Sequence, residues 1–417
     1  MAAPQSDGAN RASLQAVRAA ALSRGYVSMG SRRLDSVHEF YRYPARFSPA
    51  FAKAVIEAFS EIGDVVLDPF VGGGTTLVES RLLSRIGLGA DISSLATFVS
   101  RAKTTLASRE ELVRLKTWAS GLDSALKLRG RTAVPHPWED SGYLRGLGGR
   151  DTWRIRDVLV RALAYSLEEL GDGAAEVLGR CALLRTAQWA LDMRSAIPSV
   201  AGFREALIIG ASRVADVAGE YAEAVTAADQ HGPASSLRTT VIHQGVPGLA
   251  AHPAASKVPP ASLVLMSPPY PGVYVLYHRW KLQGRKEIAA PFWLTGSPDG
   301  QGMAHYTMSA RSRQTLDSYF EKMALAFADV VRLTASGAWV VQLIGFNHVD
   351  SQLPRYLKLL DGVGLEEVRF DDLSTANDGR LWRSVPSRRW WVTATSRSQV
   401  AAHTAEEVVL VHRRKDL

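Results

Sequence analysis

The sequence predicts an α/β fold: a mostly parallel, doubly wound sheet interrupted by a helical insertion. Three observations carry that prediction. First, the stretch DVVLDPFVGGGTTLVESRLLSRIGLGAD, Asp64 to Asp91, reads as strand, glycine loop, helix, strand and terminal acid. Second, later apolar runs, TTVIH, SLVLM, AWVVQLIGF and EEVVLVHRR, read as buried strands separated by helical spacing. Third, residues 104 to 236 alternate charged and apolar residues at helical period, as in IRDVLVRALAYSLEEL. Strands alternating with helices imply a parallel sheet whose ligands sit at the carboxyl ends of its strands.

Each element follows from local chemistry. Val65-Val66-Leu67 is a strand buried on both faces, and Asp68-Pro69 ends it. Gly72, Gly73 and Gly74 give a loop with no Cβ atoms and free access to positive φ. Thr75 or Thr76 is expected to cap the helix that follows. Ile86 to Ala90 is the second strand, with Asp91 at its end. No GK[ST] follows the glycines, which excludes a P-loop, and the spacing is not GxGxxG. Asp91 lies at the distance from the loop where a carboxylate can accept ribose hydroxyls; it can equally cap the helix beginning SSLATFVSRAK.

The 417 residues are enough for one large domain with an insertion or for two domains. The expected division is an N-terminal arm over 1–30, the first part of the sheet domain with the glycine loop over 31–103, a helical insertion over 104–236, and the second part of the sheet over 237–417. Hydrophobic residues at 46% and charged residues at 22% describe a globular chain. No apolar run is long enough to span a membrane, and the start MAAPQSDGANRASLQAVRAA lacks a signal-peptide core. The cytoplasm is therefore the expected compartment. The single cysteine, Cys181, excludes an intramolecular disulfide and a zinc–cysteine cluster, so no metal is expected. A net charge of +8 and a pI near 9.6 favour a polyanionic partner.

At Leu263 to Gly272, LVLMSPPYPG, a buried strand stops at two prolines, which lack the N–H groups a sheet ladder needs. With the glycine loop, Asp91 and Gln244, this turn places four polar or special features on one edge of one sheet.

Those features together resemble the amino-methyltransferases of DNA, which methylate an exocyclic amine of cytosine or adenine with S-adenosylmethionine. DPFVGGGTT resembles the family's cofactor loop, SPPY its catalytic motif, and HEFYRYPARFSPAFAKAVIEAF the segment that closes over the methionine end of the cofactor. The resemblance covers most of the chain outside the insertion and the first 30 residues. It implies a Rossmann-like class I methyltransferase domain with its cofactor motifs first and its catalytic motif late. It implies that Tyr43, Pro44, Phe47, Asp68, Pro69, Phe70, Gly72, Gly74, Thr75, Thr76 and Asp91 line the cofactor site. Gln244 stands where the family often has an Asp for the cofactor's adenine amine; it can accept that hydrogen bond or simply form a turn before Gly245. Ser267, Pro268, Pro269 and Tyr270 are the implied catalytic residues. The Ser267 side chain and the Pro268 carbonyl would accept hydrogen bonds from the target amine, the prolines holding that carbonyl rigid, and the Tyr270 ring would stack on an extruded base. A serine before the two prolines is similar to the cytosine-N4 enzymes.

Carbon-5 methylation of cytosine needs an exposed cysteine nucleophile, whereas Cys181 lies in LGRCALLRTAQWAL, which reads as a buried helix. Arginines and lysines interleave with aromatics over 271–310 and again in NDGRLWRSVPSRRWWVTA. Arg285, Lys286, Arg383, Arg388 and Arg389 are the expected phosphate contacts on double-stranded DNA; a packed lid is the other reading of the first of these segments. The insertion is the region left for target recognition, or is a structural cap. An RNA base methyltransferase and a DNA-binding subunit without turnover are the rival functions, and a restriction or defence-system partner is the expected context. Neither the recognition sequence nor the oligomeric state is legible in the sequence.

Overall fold

The computed structural model describes residues 15–16, 18–25, 36–43, 48–127, 146–230, 238–271, 280–283, 285–286, 288–297, 313–346, 348–370, 373, 378–385 and 405–416. Its spine is an eight-stranded sheet. Strands β1 (Val65–Asp68), β2 (Ile86–Asp91), β3 (Thr239–His243) and β4 (Ala261–Met266) are joined by β7 (Thr334–Phe346), β8 (Leu365–Glu367), β9 (Leu381–Val385) and β10 (Ala405–Arg414). A separate hairpin pairs β5 (Lys281–Leu282) with β6 (Arg285–Lys286). The order across the main sheet is β3-β2-β1-β4-β7-β10-β8, with β9 also on β10. All pairs from β3 to β7 are parallel, and β10 runs antiparallel to β7, β8 and β9. This is the mostly parallel, doubly wound sheet that the sequence predicts.

The strand order reverses between β1 and β4. Both strands are apolar and buried, as expected of parallel strands covered on two faces. Val66 pairs with Leu263 and Leu67 with Val264, so the loops after β1 and β4 leave the sheet side by side. A crevice at such a reversal is where doubly wound folds bind ligands.

Helices α1 (Pro49–Phe59), α2 (Thr75–Leu82) and α3 (Ser94–Thr104) accompany the first strands. The stretch between β2 and β3 then builds α4 (Arg109–Ala125), α5 (Trp153–Leu170), α6 (Ala174–Leu191) and α7 (Val200–Asp229). Ser108 opens α4 with a capping box, its hydroxyl taking the Glu111 N–H while the Glu111 carboxylate takes the Ser108 N–H. One apolar cluster runs without a break from Val37, Val78 and Val99 into Trp118, Leu159, Leu184 and Phe203. The helical segment therefore packs directly on the face of the sheet that carries α2 and α3. Two short links tie it down: Gln188 of α6 exchanges hydrogen bonds with the Arg42 backbone, and Arg81 of α2 pairs with Asp229 of α7 at 2.9 Å.

After the sheet reversal come α8 (Ala290–Thr295), α9 (Arg313–Arg332) and α10 (Val349–Gly362). Strand β7 starts at Thr334, four residues before the apolar run AWVVQLIGF, and holds Gly337 inside it at φ +68°. The threonine cap is corrected: Gly74, at φ +76°, occupies the N-cap of α2 with no side-chain cap, and Thr75 and Thr76 are the first two helical residues. A left-handed backbone at the cap is open to glycine and strained for threonine. Among the described residues, no helix is long and apolar enough to cross a membrane, and no cluster of side chains could hold a metal ion. Cys181 is fully buried in α6, where burial pushes its thiol up to about 12. A thiol so placed is not a nucleophile, which agrees with the exclusion of carbon-5 chemistry.

Candidate active site

The glycine loop is held from four sides. Val71 N–H donates to the Ala90 carbonyl of β2 at 2.9 Å. Gly72 N–H donates to an Asp91 carboxylate oxygen at 2.9 Å, and Ser93 N–H donates to the other oxygen at 2.9 Å. The Ser100 hydroxyl of α3 reaches the Gly72 carbonyl at 3.3 Å. The Lys103 ammonium, fully buried, donates to the Gly73 carbonyl at 2.9 Å. Gly74 is required twice over, because a Cβ there would lie 2.9 Å from the Ser100 hydroxyl and 3.0 Å from its Cα.

Asp91 is thus a brace of the loop, and Ser93, not Asp91, caps α3. Two backbone N–H groups leave carboxylate lone pairs for further donors, and the residue keeps some exposure. Burial raises its carboxyl above the ordinary aspartate value. One strand over, Asp91 pairs in register with His243, so Gln244 leaves the sheet beside it. Two acceptors therefore stand together at the carboxyl edge.

Asp68 is 2% exposed, and its carboxylate accepts from Phe70 N–H at 3.2 Å. Burial pushes its carboxyl up to about 7; the Thr76 hydroxyl and the Phe70 N–H act against that shift and the Asp91 carboxylate adds to it. Thr76 also touches the Leu265 carbonyl of β4 at 3.4 Å, linking the two loops. The Thr75 hydroxyl is buried with no hydrogen-bond partner among the described residues. An orphaned hydroxyl in the first turn of a helix, beside its free N–H groups, suits an anionic group. The donors and acceptors here fit S-adenosylmethionine: acceptors at the ends of β1, β2 and β3, and donors at the start of α2.

Tyr43 is 7% exposed and packs near Tyr41, ring centroids 6.5 Å apart, in the segment that α6 clamps. Pro44 and Phe47 lie outside the described residues. Pro69 is buried and Phe70 partly so, both in the turn that leads into the loop.

The Ser267–Tyr270 turn leaves β4 next to this loop. Pro268 is buried, and the Pro269 carbonyl accepts from the buried Tyr319 hydroxyl of α9 at 2.7 Å. The Ser267 hydroxyl lies 3.3 Å from the Tyr270 hydroxyl. The Tyr270 ring packs against the Gly345 backbone of β7, and its hydroxyl donates to Glu407 of β10 at 3.1 Å. Glu407 is 1% exposed and ion-paired with Arg383 of β9 at 2.9 Å.

The structure thus brings Asp68, Gly72, Gly74, Thr75, Thr76, Asp91, Gln244 and the Ser267–Tyr270 turn to one sheet edge. Of the basic residues, Arg383 lies against Glu407. Arg285 and Lys286 form β6, with only their backbone described. Arg388 and Arg389 lie outside the described residues. Sequence reasoning missed Lys103, Tyr319, Gly345 and Glu407. Only Gly345, in LIGF, carried a local signal, since a glycine inside a strand marks a close approach.

A mostly parallel sheet with an antiparallel penultimate strand, carrying the glycine loop and the proline turn on adjacent carboxyl ends, defines a Rossmann-like methyltransferase fold. Residues 25–97 match the family model described as DNA methylase, which covers N6 and N4 enzymes. Type II methyltransferase M.MvaI of Kocuria varians is 33% identical over 93 residues, 22% of this chain and 20% of that protein. Type II methyltransferase M.BsoBI of Geobacillus stearothermophilus is 32% identical over 83 residues, 20% of this chain and 16% of that protein. The matched stretch is thus a fifth or less of those relatives. Among solved structures, the rRNA methyltransferase aviRa from Streptomyces viridochromogenes aligns over 92% of this chain and 94% of its own, at 10% identity and a TM-score of 0.34. Residues 25–97 are thus similar to the DNA amino-methyltransferases, and these likenesses do not separate N4 from N6 members.

Proposed function

We propose that this protein transfers a methyl group from S-adenosylmethionine to the exocyclic amine of a base extruded from double-stranded DNA. The observation that carries the reading is the placement of Asp68 and Ser267 at neighbouring carboxyl ends, β1 beside β4 in parallel register. A cofactor on the first loop then lies against a substrate on the second.

The bound cofactor supplies an electrophilic methyl group. Everything else falls to the chain. An exocyclic amine is a poor nucleophile because its lone pair is delocalised into the ring. Acceptors that hold its N–H groups draw the nitrogen toward a tetrahedral geometry, and the Ser267 oxygen and the Pro268 carbonyl are those acceptors. Rigid acceptors stabilise the developing charge without reorganising. Tyr319 and the two prolines supply that rigidity, the first by holding the Pro269 carbonyl. Tyr270 offers its ring to the base. Cytosine N4 is the favoured target, because a serine before the prolines resembles that branch; adenine N6 presents the same amine-beside-nitrogen edge and is the second reading.

The helices between β2 and β3 are proposed to read the target sequence, and a restriction or other defence system is the proposed context. The test is incubation with unmethylated DNA, unmethylated RNA and S-adenosylmethionine, followed by mass spectrometry of the nucleosides. N4-methylcytosine in DNA is the expected product. Methylation confined to RNA, or none, would remove the reading.

A further inference from the structure

Strand β10 carries a carboxylate where an apolar side chain is expected. Glu406 is exposed, but Glu407, its neighbour, is 1% exposed and points into the fold. Burying a carboxylate costs several kcal/mol before any partner is found, so such a group invites a reason. Arg383, directly opposite on β9, is one partner, at 2.9 Å. The second is Tyr270 of the proline turn, whose hydroxyl is 3.1 Å away. The contact is built by the sheet: Glu407 pairs with Gly345 on β7, and the Tyr270 ring lies against Gly345.

The direction of each hydrogen bond follows from this placement. An ion-paired carboxylate only accepts, so the Tyr270 O–H must donate to Glu407. The Tyr270 oxygen in turn accepts from the Ser267 hydroxyl, 3.3 Å away. With its proton committed there, Ser267 presents only lone pairs elsewhere. The amine needs a serine of that polarity, an acceptor and not a donor.

We propose that Glu407 is a positioning residue of the transfer site. It fixes the Ser267–Tyr270 hydroxyl chain so that the Ser267 oxygen faces the target amine as an acceptor. The proposal rests on the methyltransferase reading above and adds a residue outside the glycine loop and the proline turn. It involves no covalent step of its own.

Glu407→Gln keeps size and polarity but introduces an N–H₂ group that can donate to Tyr270 and reverse the chain. The single-turnover rate should fall on the order of tenfold to a hundredfold at saturating DNA, with cofactor affinity unchanged. Tyr270→Phe removes the hydroxyl and keeps the ring, and after it Glu407→Gln should lower the rate no further. Independently of turnover, 3-fluorotyrosine placed at 270 should titrate at lower pH in Glu407→Gln by fluorine NMR, because a carboxylate beside the phenol opposes its ionisation. An unmoved titration would overturn the contact. A moved titration with a wild-type rate, or a lowered melting temperature alone, would reduce Glu407 to a structural ion pair and overturn the positioning role. If the wild type methylates no DNA, the functional reading and the kinetic claim fall together, and the fluorine titration still decides the hydrogen-bond chain.

Discussion

The ammonium of Lys103, buried to the last atom in α3, lies 2.9 Å from the carbonyl of Gly73 in the glycine loop. A lysine in the last turn of a helix usually reaches solvent. This one is covered by the α6 side of the apolar cluster, close enough to the buried Cys181 thiol to pull its ionisation down against burial. It fixes the second glycine of a loop whose first, Gly72, Asp91 and Ser100 already hold.

Lys103→Met should therefore loosen the loop while keeping the stem packed. Affinity for S-adenosylmethionine is expected to weaken by roughly 1–3 kcal/mol, the range for leaving a buried polar group unsatisfied. Isothermal titration calorimetry checks this, and undiminished affinity would mean that the lysine only fills space.

Asp68 predicts a pH dependence. Its carboxyl is pushed up to about 7 by burial, whereas an unfolded aspartate titrates near ~4. Between those values the folded chain holds a proton that the unfolded chain has released. Stability should fall as the pH rises through that window and level off above it. Asp68→Asn should flatten this slope in urea melts at pH 5 and pH 8. S-adenosylmethionine carries a sulfonium and an ammonium, and a cation brought beside Asp68 expels that proton. Binding near pH 7 should then release a proton, seen as a heat that varies with buffer ionisation enthalpy, and the release should vanish in Asp68→Asn.

How much of this was legible beforehand depended on range. The unit from Val65 to Asp91 could be read because its signals are local: an apolar run, three glycines and an acid within one supersecondary element. The Ser267–Tyr270 turn was legible because two prolines end a strand wherever they occur. Strands β8 and β9 were not. The first is three residues long and the second, LWRSV, has no clear period; both exist through pairing with β10. Lys103 closes the run SSLATFVSRAK, and nothing local marks it, since the helices that bury it come much later in the chain. Glu407 read as the polar start of a strand, because only the register with Gly345 decides which of two adjacent glutamates turns inward.

Ser267 and Tyr270 should fail differently. Ser267→Ala would remove the proposed acceptor, needed most in the transition state, so the single-turnover rate should drop while DNA affinity holds. Tyr270→Ala would remove the proposed stacking surface, worth about 1–3 kcal/mol, so base capture should suffer with the rate. Fluorescence of 2-aminopurine at the target position, read beside methyl transfer, separates the two. A Ser267→Ala protein working at the wild-type rate would end the catalytic assignment.

Gly345 sets the seat of the Tyr270 ring. A Cβ added there would lie 3.0 Å from the ring's Cδ2 and Cε2 and 3.2 Å from the Glu406 carbonyl oxygen. The carbonyl belongs to the β7–β10 ladder and cannot yield cheaply, so the ring must. Moving the ring off β7 would carry its hydroxyl away from Glu407 and its face out of line with an extruded base. Gly345→Ala should lower the single-turnover rate about severalfold, since the contacts require the ring to give by some tenths of an ångström, and at a preorganised site a misplacement of about 1 Å can cost on the order of a hundredfold. Weaker 2-aminopurine signal should accompany it, along with a lowered folding transition from the tight contact on the Glu406 carbonyl. Normal transfer together with a normal fluorescence signal would show that the ring has slack in its seat, and that its packing on β7 does not set the geometry of the site.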